Sequence, residues 1–177
     1  MYLHPYRARP GVYTDGMFLF AAAALVALDQ LTKVWAVDTY PLNGPSVPIG
    51  LGFHLTYTQN TGAAFGILQR GPTATLLLGV LSAVVALGIL IFLLRRGRTL
   101  PRVQLVAFTL ILAGAVGNMI DRFRFGYVRD FIHFYLPNFN FPVFNVADSC
   151  VVVGAGLLIV ASFFERPKGE PEYQPES

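Results

Sequence analysis

Four apolar runs, each close to the about 20 residues that cross a hydrocarbon core of about 30 Å, constrain this chain more than any other feature. They are Met17 to Trp35, Thr73 to Leu94, Val103 to Ile120, and Val143 to Phe164. With 54% of its 177 residues hydrophobic and only 13% charged, the chain reads as one α-helical integral membrane domain of four transmembrane helices. The first run is longer than the roughly 7 to 15 residue apolar core of a cleaved signal peptide, and it holds Asp29, Gln30 and Lys33, so it is read as a retained helix.

Positive charge beside the spans sets the orientation. Arg95, Arg96, Arg98 and Arg102 crowd the short link between the second and third runs, which puts that link in the cytoplasm. An even number of spans then brings both tails, 1–15 and 167–177, to the same side, in agreement with Arg7, Arg9, Arg166 and Lys168. Segments 37–72 and 122–142 face outward. The net charge of +3 belongs mostly to these anchors and gives no sign of nucleic-acid binding, and a single cysteine supports no disulfide framework. Both tails, rich in proline and charge, are read as poorly ordered.

Within the first outward segment, Val47, Ile49, Leu51, Phe53, Leu55 and Tyr57 alternate with residues such as His54, Thr56 and Thr58. A period of two means strand, so a small sheet or hairpin on the outer membrane surface is expected there. Asn60 to Phe65, N-T-G-A-A-F, follows, with Gly62 allowing a tight turn. The second outward segment is read as a loop, because Gly126 breaks the third helix and Pro137 and Pro142 limit any helix beyond it. Its aromatics Phe131, Phe134, Tyr135, Phe139, Phe141 and Phe144 fit an interfacial belt and a groove for acyl chains equally well, and Trp35 and Tyr40 are read as interface anchors.

Acids inside membrane helices cost about 2.5 to 3.5 kcal/mol each on insertion scales and need a reason. At about 1.5 Å per residue, Asp29 lies about 18 Å up the first span, Asp121 about 27 Å along the third, and Asp148 about 8 Å into the fourth as it returns, while Asp130 lies on the outer segment between the last two. These four aspartates therefore converge near the outer interface. Gly114, Asn118 and Asp121 share one helix face at i, i+4 and i+7, and N-x-x-D occurs at Asn118/Asp121 and again at Asn145/Asp148, so each helix offers an amide beside an acid. No zinc spacing is present: His4, His54 and His133 are scattered. A close pair of aspartates can share a proton, activate water against a peptide carbonyl and protonate the departing amine. Spacing alone leaves Asp121, Asp130 and Asp148 all open as members of that pair. Asp29 with Lys33 also reads as a structural i, i+4 pair, Asp121 beside Arg122 and Arg124 reads as a helix end sooner than a reacting group, and Cys150, about 200° around the helix from Asp148, reads as packing.

At these residues the sequence resembles signal peptidase II, the lipoprotein signal peptidase family. The resemblance rests on D-Q-L-T-K at Asp29 to Lys33, N-T-G-A-A-F at Asn60 to Phe65, G-N-M-I-D-R at Gly117 to Arg122, G-Y-V-R-D-F at Gly126 to Phe131, and F-P-V-F-N-V-A-D-S at Phe141 to Ser149. Ala113 departs from the family's more frequent glycine. The resemblance implies an aspartic endopeptidase of the bacterial inner membrane whose catalytic carboxylates are Asp130 and Asp148, supported by Asp29, Asn60, Asn118, Asp121, Arg122 and Asn145, with no metal and no cofactor. It implies as substrate a prolipoprotein carrying diacylglycerol on its cysteine, cut just before that cysteine, with membrane lipid and a globomycin-type inhibitor as further partners, and a monomeric enzyme. Two rival classes share clustered aspartates: a metal-dependent lipid phosphotransferase, whose D-x-x-D-G signature is missing, and a small membrane transporter, for which four short spans without inverted repeats are a poor fit.

Overall fold

Residues 15–62 and 72–164 are described by the structure, a computed structural model. Both tails, residues 63–65 of the N-T-G-A-A-F block and His4 lie outside them. Among the described residues, four helices are long and apolar enough to cross a membrane: α1 (Asp15–Thr39), α2 (Pro72–Arg96), α3 (Arg102–Phe125) and α4 (Val146–Phe164). The arginine-rich link folds as a short 3-10 turn, Gly97–Thr99, and Pro101 then leads into α3. Connectivity gathers the C-terminal ends of α1 and α3 and the N-terminal ends of α2 and α4 at one end of the bundle, where the strands lie.

Helix ends explain where the apolar runs and the helices part company. α3 continues past Ile120 through Asp121 and Arg122 to Phe125, and stops where Gly126 takes a left-handed φ of 77° and returns its N–H to the Arg122 carbonyl at 3.1 Å. α4 starts at Val146, after Asn145: Pro142 disfavours helix before it, and the Phe144 carbonyl is taken by the N–H groups of Phe131 and Ile132.

α3 is the central helix. It buries Ala107, Leu112, Ala113, Gly114, Ala115, Gly117, Asn118 and Asp121, and packs against each of the other three. Lipid offers no hydrophobic drive for helix pairing, so close backbone approach supplies the contact energy. A Cβ on Gly114 would collide with the Ala147 carbonyl oxygen and with Val151, and one on Gly117 would stand 2.6 Å from an Asp29 carboxylate oxygen. Gly154 of α4 is pressed in the same way against the Ala107 carbonyl. Ala113 is buried in the cluster with Phe18, Ala22, Ala86, Leu93, Leu112 and Ala115, so its methyl group fills space that a glycine would leave. Phe20, Leu31, Ile159 and Phe163 point outward on the bundle surface, as lipid-facing side chains do.

At the strand end, β1 (Val47–Gly50), β2 (Phe53–Asn60), β3 (Val128–Leu136) and β4 (Phe139–Asn140) form one antiparallel sheet in that order. β1 and β2 are joined through Leu51 and Gly52, both with positive φ, 52° and 81°, the twist that a two-residue hairpin requires. The expected alternation is interrupted by a bulge between Leu55 and Thr58, which buries Thr56 and Tyr57 together. The outer segment expected as a loop is instead largely strand. β3 is buried on both faces from Val128 to Phe131, so its sequence carries no period of two, and Pro137 serves the tight turn into β4. The N–H groups of Phe131 and Ile132 both donate to the Phe144 carbonyl, which holds β3 against the entrance of α4.

Candidate active site

The first turn of α4 is the foundation. Asn145 Oδ1 accepts the Asp148 N–H at 2.8 Å, and Asp148 Oδ2 accepts the Asn145 N–H at 3.2 Å, the reciprocal bonds of a capping box. This N-x-x-D is therefore a helix start, whereas Asn118/Asp121 lies within α3. Asn145 then does more than cap: its Nδ2 donates to Asp130 Oδ1 at 2.7 Å. Asp130 Oδ2 accepts from Asn60 Nδ2 at 2.9 Å, and Asn60 Oδ1 accepts the Gly62 N–H, which turns the chain after β2. Asp148 Oδ1 accepts from Asn118 Nδ2 at 2.7 Å. Lys33 Nζ at 3.0 Å and Asn145 Nδ2 at 3.2 Å both donate to Asn118 Oδ1, and together they set which end of that amide faces Asp148. The carboxylates of Asp130 and Asp148, from β3 and α4, thus meet at one asparagine.

Beneath them lies a buried ionic network. Lys33, wholly buried, contacts Asp29 at 2.9 Å and Asp121 at 3.4 Å. Arg129 clasps Asp121 through Nε at 3.2 Å and Nη2 at 2.7 Å, and its backbone N–H adds a bond at 2.9 Å. Gln30 bridges Asp29, Asp121 and Arg129. The second Asp29 oxygen accepts the Ala147 N–H at 2.9 Å, so an acid of α1 caps the N-terminus of α4, where the helix dipole favours negative charge. Among the described residues no buried side-chain nitrogen or oxygen lacks a partner.

A cavity of about 720 Å³ opens beside this cluster, between α2, α3, α4 and the 141–144 approach. Asp148, Asn60, Asn118 and Arg122 supply its polar corner, and Leu81, Val85, Ile111, Phe141, Phe144 and Val152 are among its apolar walls. Asp130 is only 1% exposed and faces Asp148 from behind that corner. Its burial first, then the charge of Asp148, push its carboxyl from 3.8 up to about 7, against the pull of the Asn60 and Asn145 amides. Arg122, which lines the same corner, donates to Ser82 Oγ of α2 at 3.5 Å.

The family model for signal peptidase (SPase) II matches residues 21–164. The chain belongs to the signal peptidase II family. It is 39% identical to a lipoprotein signal peptidase of Psychromonas ingrahamii over 90% of this chain and 91% of that one, and 44% identical to one of Brevibacillus brevis over 85% and 97%. One from Nostoc punctiforme is 45% identical over 84% and 92%. A bacterial membrane enzyme solved by the in meso method superposes with a TM-score of 0.75 at 31% identity, covering 90% of this chain and 95% of that one.

In this signal peptidase II chain the eight residues singled out from the sequence fall into three groups. Asp130, Asp148, Asn60, Asn118 and Asn145 form one hydrogen-bonded cluster; Asp29 and Asp121 belong to the ionic network below it; Arg122 lines the cavity at the same polar corner as Asp148. Asp121, open as a dyad member from spacing, has both oxygens occupied by Arg129. Arg129 and Gln30 were missed as site supports, and Lys33 was seen only as the partner of Asp29. The signal for Arg129 was available: in a strand, neighbours point to opposite faces, so a cation next to Asp130 must find its own acid elsewhere. The six aromatics divide, since Phe141 and Phe144 line the cavity, Phe131 packs edge-on against Trp35, and Tyr135 and Phe139 stay exposed. Cys150 is buried in packing.

Proposed function

We propose that this chain is an aspartic endopeptidase that removes the signal peptide from diacylglyceryl-modified prolipoproteins, cutting just before the lipidated cysteine. The observation that carries the reading is the pair of carboxylates, Asp130 and Asp148, held on one asparagine beside a cavity with apolar walls. Asp148 accepts two N–H bonds at a helix N-terminus, which suits the ionised partner, and Asp130, with a carboxyl raised to about 7, suits the protonated one.

A water between them gives a proton to Asp148 and attacks the scissile carbonyl carbon while Asp130 protonates the carbonyl oxygen. Collapse of the tetrahedral diol returns a proton to Asp130, Asp148 delivers its proton to the amine, and the C–N bond breaks. Asn60, Asn118 and Asn145 aim the acids, Asp29 and Asp121 position the elements that carry them, and Arg122 meets the substrate in the cavity. The acyl chains anchor the cysteine at headgroup depth, with Phe141, Phe144 and the α2–α4 walls around them.

The arginines of the α2–α3 link support a bacterial inner-membrane protein with both termini in the cytoplasm and the site at the outer face. The test is cleavage of a lipidated precursor in detergent by Asp130→Asn and Asp148→Asn. Both should remain folded and lose turnover by at least about 10²-fold, the lower range for removing an acid or base. Substantial turnover by either would defeat the assignment.

A further inference from the structure

Three residues beyond Asp130, and so on the other side of β3, a second constellation has no part in the proposed reaction. His54 of β2 and His133 of β3 are direct cross-strand partners, with ring centroids 6.2 Å apart and planes inclined at 50°. Tyr135 lies over both, 6.2 Å from His54 and 6.1 Å from His133. Each ring is already held by one nitrogen. His54 Nδ1 lies 3.2 Å from the Gly52 carbonyl oxygen, which can only accept, so Nδ1 donates there and Nε2 is the nitrogen left for a ligand. His133 Nε2 lies 2.7 Å from Asn140 Oδ1, so it donates there and Nδ1 is the nitrogen left for a ligand.

A ring N–H given to a backbone carbonyl or an amide oxygen is the support that metal-bound histidines carry. Two metal–nitrogen bonds of about 2.0–2.1 Å place imidazole centroids between about 4.5 and 6.5 Å apart, depending on the angle at the metal. The observed separation falls in that range at its wide end. We propose that His54 and His133 form a two-imidazole site for a divalent transition-metal ion, completed by water. Neutral imidazole pairs take Cu²⁺ more tightly than Zn²⁺ or Ni²⁺. A bound ion would staple β2 to β3, the strands that carry Asn60 and Asp130.

The test uses the full chain without a polyhistidine tag, in detergent. Titrated with Cu²⁺ and followed by electron paramagnetic resonance, it should bind one equivalent with coupling to two nitrogens. His54→Gln and His133→Gln should each weaken that equivalent by at least tenfold and remove the two-nitrogen pattern, whereas His4→Gln should leave it intact. Excess Zn²⁺ should raise the unfolding temperature of the parent chain, reversibly with EDTA, and leave that of either β-strand variant unmoved. Uptake of no copper by the parent, single variants that keep its affinity, or loss of binding only in His4→Gln would each overturn the proposal.

Discussion

Asn145 joins two tasks in one side chain, since its carbonyl oxygen and backbone N–H cap α4 while its amide nitrogen reaches Asp130. Serine at this position still caps a helix but is too short to reach β3. Asn145→Ser should therefore keep α4 capped, cost about 1–3 kcal/mol for the buried acceptors left without the amide, and lower kcat by about 10²-fold, the cost of a small misplacement of reacting groups. Cleavage kinetics read beside thermal unfolding separate the two effects. Asp130 supplies the pH dependence. Its folded carboxyl, raised from 3.8 to about 7, binds a proton more tightly than the unfolded chain does, so the stability it contributes is full below about pH 4 and is lost as pH rises through about 7. The slope of unfolding temperature over that window should flatten in Asp130→Asn. Precursor cleavage should fall above about pH 7 as the proton leaves. Because the Asn60 amide favours the charged form, Asn60→Ala should move that basic limb of kcat/KM to higher pH, and a shift to lower pH would contradict the role given to the amide.

Elements differ in how plainly they were written in the sequence. The helices were legible from the length of their apolar runs, and the presence of the β1–β2 hairpin from its alternation, although the turn at Leu51 and Gly52 and the bulge between Leu55 and Thr58 break that alternation in the structure. β3 was not, since Val128 to Phe131 are buried on both faces and Arg129 and Asp130 interrupt the apolar pattern. The convergence of the aspartates at one end of the bundle followed from helix rise. Which of them pair did not, because that depends on β3 lying against Phe144, a contact between segments with no periodic signature. The N-x-x-D repeat was visible, but its meaning differs by position: at a helix start it caps, and within a helix it lines a face. The α3–α4 contact yields its own prediction. Gly114→Val places side-chain atoms against the Ala147 carbonyl, in the first turn of α4, so the helices must separate there. A loss of about 1–3 kcal/mol is expected in unfolding, together with a fall in turnover, because Ala147 directly precedes Asp148. Gly156, with open space around it, provides the control, and Gly156→Ala should be nearly silent.

Across the whole molecule, α1, α3, β3 and α4 are pinned by two cations and two anions, Lys33 and Arg129 with Asp29 and Asp121. Hydrophobic burial cannot fix these elements against one another when lipid competes for the same surfaces, so a charge-balanced polar centre specifies their register. Its balance makes it vulnerable to single changes. Lys33→Met leaves Asp29 and Asp121 with one cation between them and takes one of two donors from Asn118 Oδ1, which should cost about 3–5 kcal/mol, the usual penalty for uncovering a buried charge. Lys33→Met with Asp121→Asn removes one charge of each sign. If the network works as a balanced unit, the double variant should recover part of that loss in reversible unfolding, while cleavage stays low because Asn118 keeps only one of the two donors that orient it toward Asp148. Strict additivity of the two stability losses would mean that the four elements are held by packing alone.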